Sequence, residues 1–241
     1  MQLDRFPIRR VTAHPAHPLD PGTWPASLPP VSQLLTDGMD LGGATVLVGE
    51  NGSGKSTLVE AIALAFGLSP EGGSTGARHS TRPSESELSE SLQLVRNPGA
   101  TKRGYFLRAE TMHGFFTYLE MNPSTSGRSD SEFHSMSHGE SFLELVVDRF
   151  RGPGLWVLDE PESALSFGGC LALLGILKEL LADGKSQVVL STHSPLLAAL
   201  PGASILEIGP WGFRERHWDQ LDLTVNWRSF MNGPDRYLRH L

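Results

Sequence analysis

Short apolar runs, each cut off by glycine, proline or charge, set the skeleton of this chain. Val46–Val48, Leu155–Leu158 and Val188–Leu190 are continuously apolar, and Ala203–Ile208 is a fourth candidate strand. Strands covered on both faces read this way, whereas half-exposed strands alternate. Between them, Leu58–Phe66, Glu140–Phe150 and Cys170–Leu181 carry apolar residues at helical spacing. Buried strands alternating with helices predict an α/β fold, a core sheet with helices on both faces. A first strand is expected near Phe6–Val11, then a Pro-rich connection from Pro15 to Pro30. Ser69–Ser91 reads as an insertion rich in Gly, Ser, Thr and charge, and Pro123–Ser131 as a second Ser/Gly loop. The stretch 211–241 predicts a short strand or loop and a terminal helix. No internal repeat is visible.

Chemistry enters at the ends of these strands. After Val46–Val48 comes Gly49-Glu50-Asn51-Gly52-Ser53-Gly54-Lys55-Ser56-Thr57, which fits G-x-x-x-x-G-K-[ST], the phosphate-binding P-loop. Its glycines allow a tight turn whose backbone N–H groups point at anionic oxygens. The following helix adds its N-terminal partial charge. On this reading Lys55 reaches the β- and γ-phosphates, Ser56 offers its hydroxyl to Mg²⁺, and Thr57 caps the α-phosphate region. A Gly/Ser-rich loop matching by chance would lack the flanking strand and helix.

Leu155–Leu158 ends in Asp159-Glu160-Pro161. Adjacent side chains at a strand end face different ways and can take different tasks. Asp159 suits Mg²⁺, and Glu160 suits activation of an attacking water as general base. Pro161, lacking an N–H, stops the ladder. Taken alone, the run would also fit an ordinary turn after a core strand.

With these motifs in order, the chain resembles the ATP-binding-cassette ATPase superfamily over most of its length. The P-loop spans 49–57, a signature 136–140, the Walker B strand 155–160, a D-loop 163–166, and a switch histidine stands at 193. Transporter cassettes carry Leu-Ser-Gly-Gly-Gln in the signature, and here it is Met136-Ser137-His138-Gly139-Glu140. That variant, together with Asp159–Ser166 and the tail Phe230–Leu241, looks more like the soluble branch of chromosome-maintenance, DNA-repair and small stand-alone ATPases. The resemblance implies one ATPase domain with an antiparallel β-subdomain, its core about 1–103 and 136–241 and a small helical subdomain about 104–135. It implies that Ser137, Gly139 and Glu140 contact the γ-phosphate held by a partner's P-loop. Ser137 with Glu140 also fits a helix-capping box, which is compatible. His193 would hydrogen-bond the γ-phosphate. The remaining histidines have no metal-ligand spacing.

One motif departs from the family. Cassette ATPases carry a Gln at the end of an antiparallel strand, and Gly104-Tyr105-Phe106-Leu107-Arg108-Ala109-Glu110 looks equivalent. Arg108 falls at the Gln position and Glu110 two residues on. Glu110 is the better candidate for a metal-linked role, because a guanidinium offers no acceptor. For the adenine, no aromatic stands out, and Arg9 or Arg10 could stack on the base.

Composition narrows the partners. The chain has 241 residues, 39% hydrophobic, enough for one large α/β core. A net charge of −7 argues against a broad nucleic-acid face, though Arg96, Lys102, Arg103 and Arg108 form a local basic group. The single Cys170 excludes an internal disulfide, fits a reducing cytoplasm and reads as core packing. No run of 18 apolar residues and no signal segment is present, so a soluble chain is expected. The expectation is a cytoplasmic ATPase that binds ATP and Mg²⁺ and works as a head-to-tail homodimer or with a related ATPase chain. A protein or DNA effector would follow from the soluble branch. The rival is the nucleotide-binding subunit of a membrane transporter. A P-loop kinase would leave the signature and His193 unexplained.

Overall fold

The computed structural model describes residues 6–69, 73–74, 87–109 and 138–239. Two sheets organise them. Strands β1 (Ile8–Ala13), β2 (Met39–Asp40) and β5 (Leu92–Arg96) form a small antiparallel sheet in the order β2-β1-β5. The large sheet contains β3 (Ala44–Val48), β4 (Gly73–Ser74), β6 (Gly104–Arg108), β7 (Leu155–Asp159), β8 (Gln187–Thr192), β9 (Ser204–Gly209) and β10 (Gly212–Glu215). Its order is β10-β9-β3-β8-β7-β6-β4. The five inner strands are parallel, and the two edge strands run antiparallel to their neighbours.

The continuous apolar runs are the inner strands, for the reason expected. Val46, Val48, Trp156, Leu158, Val188 and Leu190 pack into one core. Leu47, Leu155, Val157 and Val189, the alternate positions, pack into a second core on the other face. Helix α2 (Lys55–Phe66) and the small sheet cover that second face. Helices α3 (His138–Arg149) and α4 (Phe167–Leu181) cover the first. Buried Cys170 lies in that core, where burial pushes its thiol pKa up.

Gln187 pins the two sheets together. Its amide donates to the carbonyls of Ile8 (2.6 Å) and Gly42 (2.8 Å) and accepts from the Ile8 N–H (2.8 Å). A buried amide with these bonds satisfied fixes the strands that carry the site.

Three expectations change. The Pro-rich connection leads into helix α1 (Pro29–Asp37), which starts at its last two prolines. Proline is tolerated in a first helical turn because its missing N–H would have no helical partner there. The stretch expected as helical from residue 104 opens with β6, a strand of the core sheet, and from residue 110 it lies outside the described residues. That strand runs parallel to β7 and is antiparallel only to the two-residue β4. The tail holds β10, α5 (Asp222–Asn232) and α6 (Asp235–Leu238). Among the described residues no helix is long and apolar enough to cross a membrane.

Candidate functional site

The P-loop runs from the end of β3 into α2. A Cβ on Gly49 would sit 2.5 Å from the carbonyl oxygen of Ile208, so β9 leaves room only for glycine there. Gly54 caps α2 with φ of 97°, in the left-handed region that glycine occupies without strain. Lys55 is 2% exposed. Its Nζ donates to the Glu50 carbonyl at 2.9 Å and lies 3.5 Å from Glu160 Oε1. Ser53 Oγ is buried without a hydrogen-bond partner. A buried hydroxyl left unpaired within a loop of converging N–H groups fits an absent anionic ligand.

Beside β3, β7 and β8 bring up the acids. Asp159 is 4% exposed and accepts hydrogen bonds from Ser191 Oγ (2.5 Å) and Arg108 Nε (3.2 Å). Glu160 lies just past the strand end with φ of 48°, the one positive φ among described residues other than glycine. Its N–H donates to the Ser191 carbonyl (3.1 Å) and hydroxyl (3.2 Å), which hold that strained turn. The Glu160 carboxylate thereby faces Lys55 on one side and His193 Nδ1, 3.7 Å away, on the other.

His193 follows β8, and Glu162 positions it. Glu162 Oε1 accepts from the His193 N–H (2.6 Å) and the Thr192 hydroxyl (2.7 Å), with His193 Nδ1 at 3.4 Å. The motif reading gave Glu162 no task, nor Ser191. Their roles come from strand register, which places β7 and β8 ends side by side.

Two cavities flank Asn51 and Gly52. One, about 420 Å³, is lined by Gly54, Lys55, Ser56, Thr57 and Glu160, with Trp24 at its edge. The other, about 840 Å³, is lined by Ser53, His193, Trp211 and Trp227 among others. The smaller, lined by Lys55, Ser56 and Thr57, is the candidate nucleotide site. Trp24, 64% exposed, offers the aromatic face that the motif reading lacked. Arg10 is spent elsewhere, donating to Asp40 Oδ1 at 2.6 Å and to the Asp37 carbonyl. Neither Arg9 nor Arg10 lines a cavity beside the P-loop.

Of the signature, Gly139 and Glu140 are described with their side chains. Gly139 and Glu140 open α3, and Gly139 packs near the Ala164 carbonyl, in the turn after Glu160. Neither lines either cavity. Ser137 and Glu110 lie outside the described residues, and of the His138 side chain nothing is described.

Among the described residues no group of three or more His, Cys, Asp or Glu forms a metal cage. Ser56, in the first turn of α2, and Asp159, at the end of β7, instead offer one hydroxyl and one carboxylate. That donor set fits Mg²⁺, which is held by few protein oxygens plus substrate phosphates.

Residues 38–163 match the ABC transporter family. The chain is 28% identical over 194 residues to the cytochrome c biogenesis ATP-binding export protein CcmA of Rhizobium etli, covering 71% of this chain and 87% of that protein. It is 33% identical over 171 residues to the aliphatic sulfonates import ATP-binding protein SsuB 2 of Paraburkholderia xenovorans, covering 67% and 66%. A dimeric ATP-binding cassette in a post-hydrolysis state, bound to ADP and Pi, aligns with a TM-score of 0.43 at 16% identity, covering 75% and 88%.

Proposed function

Because the chain belongs to the ABC transporter family of ATP-binding domains and is an ATP hydrolase, we propose that it binds MgATP in the 420 Å³ cavity and hydrolyses it in a head-to-tail dimer. The observation that carries this reading is a division within the chain. Lys55 and Glu160 converge at 3.5 Å, while Gly139 sits beside the turn at Ala164, away from its own P-loop. A second subunit would supply the signature, Ser137, Gly139 and Glu140, to this one's phosphates.

In this mechanism Lys55 and the P-loop N–H groups hold the phosphates. Ser56 and Asp159 would hold Mg²⁺, which supplies charge neutralisation for the leaving and transferring groups. Glu160 accepts the proton of the attacking water, and its strained backbone aims the carboxylate across the cavity mouth. His193, fixed by Glu162, hydrogen-bonds the terminal phosphate.

Trp24 provides the base-stacking face. Trp24→Ala is expected to weaken ATP and GTP alike, by about 1–3 kcal/mol, because stacking uses a π-face that every base has. Turnover at saturating ATP should not change. Fluorescence titration with both nucleotides checks this; a loss confined to turnover would remove Trp24 from the site.

Two readings of the output remain distinct. The relatives are named as export and import ATP-binding proteins, which favours a subunit that drives a membrane partner. The signature Glu140 and the Arg108 at the Gln position favour a stand-alone switch. Light scattering on the Glu160→Gln protein with and without MgATP tests the shared core of both. Conversion from monomer to dimer by MgATP is expected. A protein that binds ATP and stays monomeric would overturn self-assembly and point to another chain carrying the signature.

A further inference from the structure

Arg108 ends β6 directly beside Asp159 in the parallel register. Its Nε donates to Asp159 Oδ2 at 3.2 Å, and its terminal nitrogen lies 3.1 Å from Glu60 Oε2. Glu60 comes from α2, four residues after Ser56, so both project from one helix face. Two carboxylates with side chains 4% and 11% exposed therefore share one guanidinium that is itself 19% exposed. Buried acids of this kind need compensation. Here the compensating charge belongs to the protein and sits on the carboxylate suited to a divalent cation.

We propose that Arg108 is the resident counter-cation of Asp159, and that a divalent cation gains this carboxylate only in competition with it, resting as this does on the metal reading of Asp159 and Ser56. Glu60 holds the guanidinium after it leaves Asp159. A neutral amide at this position would offer an oxygen to a metal, whereas a guanidinium offers only donors and positive charge. Asp159 thus keeps its charge paired with or without metal, and MgATP gains less over free ATP than an unopposed carboxylate would give. Arg108 is a positioning residue, since it acts through Asp159.

The test is isothermal titration calorimetry of ATP into the full chain, once with excess Mg²⁺ and once with EDTA. The dissociation constant in EDTA divided by that in Mg²⁺ reports the coupling between nucleotide and cation. Comparing variants cancels the affinity of ATP for Mg²⁺ in solution. Arg108→Met, which removes the charge without adding a ligand oxygen, is expected to raise this ratio roughly tenfold or more, the scale on which a neighbouring guanidinium biases a carboxylate. A purely architectural Arg108 would shift both constants by the same factor; an unchanged or lowered ratio overturns the proposal. Glu60→Gln, a milder change, should lower the ratio because the guanidinium loses the negative charge that competes with Asp159 for it and stays on Asp159. A raised or unchanged ratio there overturns it as well, even if Arg108→Met fails to fold. Asp159→Asn separates the two layers. It should collapse the ratio toward unity. If it does so while Arg108→Met has no effect, only the counter-cation idea falls. If Asp159→Asn keeps the wild-type ratio, the metal reading is wrong and the counter-cation idea falls with it.

Discussion

Glu160→Gln is expected to cut ATP turnover by roughly 10²–10⁴-fold, the usual contribution of a positioned general base. The amide keeps the size and most hydrogen bonds of the side chain but cannot take a proton from water. The backbone clasp from Ser191 to the Glu160 N–H is unaffected, so the turn keeps its shape. ATP binding should persist or tighten, because one negative charge facing the phosphates disappears. Lys55, now 3.5 Å from that carboxylate, would be freed for the nucleotide. Single-turnover hydrolysis alongside a binding titration separates the two effects. Normal turnover in this variant would take the general-base role away from Glu160.

Lys55→Met should have the second largest effect, and on binding first. Met fills much of the volume of the Lys stem but removes a cation that is almost wholly inside the loop. A hydrogen bond to a charged group contributes about 1.5–3 kcal/mol, so ATP affinity should fall roughly 10- to 100-fold. The loss should be larger for ATP than for AMP, which lacks the β- and γ-phosphates Lys55 is placed to reach. Calorimetry with both nucleotides checks the difference. Equal losses for both would mean that Lys55 only shapes the loop.

The sequence was most legible where local pattern and tertiary burial agree. Continuous apolar runs mark the inner strands because both faces of a parallel sheet are covered. The P-loop and the Asp159-Glu160 pair were readable because their tasks dictate residue types in fixed order. Helix α1 was hidden because two prolines, which start a helix as readily as they break one, stood at its beginning. Strand β5 was hidden just after the Ser69–Ser91 insertion, since Leu92–Arg96 pairs with β1, far away in sequence. Site partners set by register escaped for the same reason. Nothing near Glu162 signals that its carboxylate holds the His193 N–H, because the two meet only when β7 and β8 align. Trp24 lay in a loop that meets the P-loop only in the folded chain, where both line one cavity. Glu110 and Ser137 lie outside the described residues, so their expected roles stand as proposals.

The backbone of Glu160, at φ of 48°, has a bearing on the history of chains like this one. An acid with a full side chain is held there against a cost on the order of 1–2 kcal/mol, which asparagine or glycine would largely avoid. Selection for hydrolysis is what opposes that drift. A copy of this chain retained only to grip nucleotide, with turnover no longer required, would become more stable by substituting this position. The residue found at 160 in a duplicated descendant is therefore a record of whether that lineage still spends ATP.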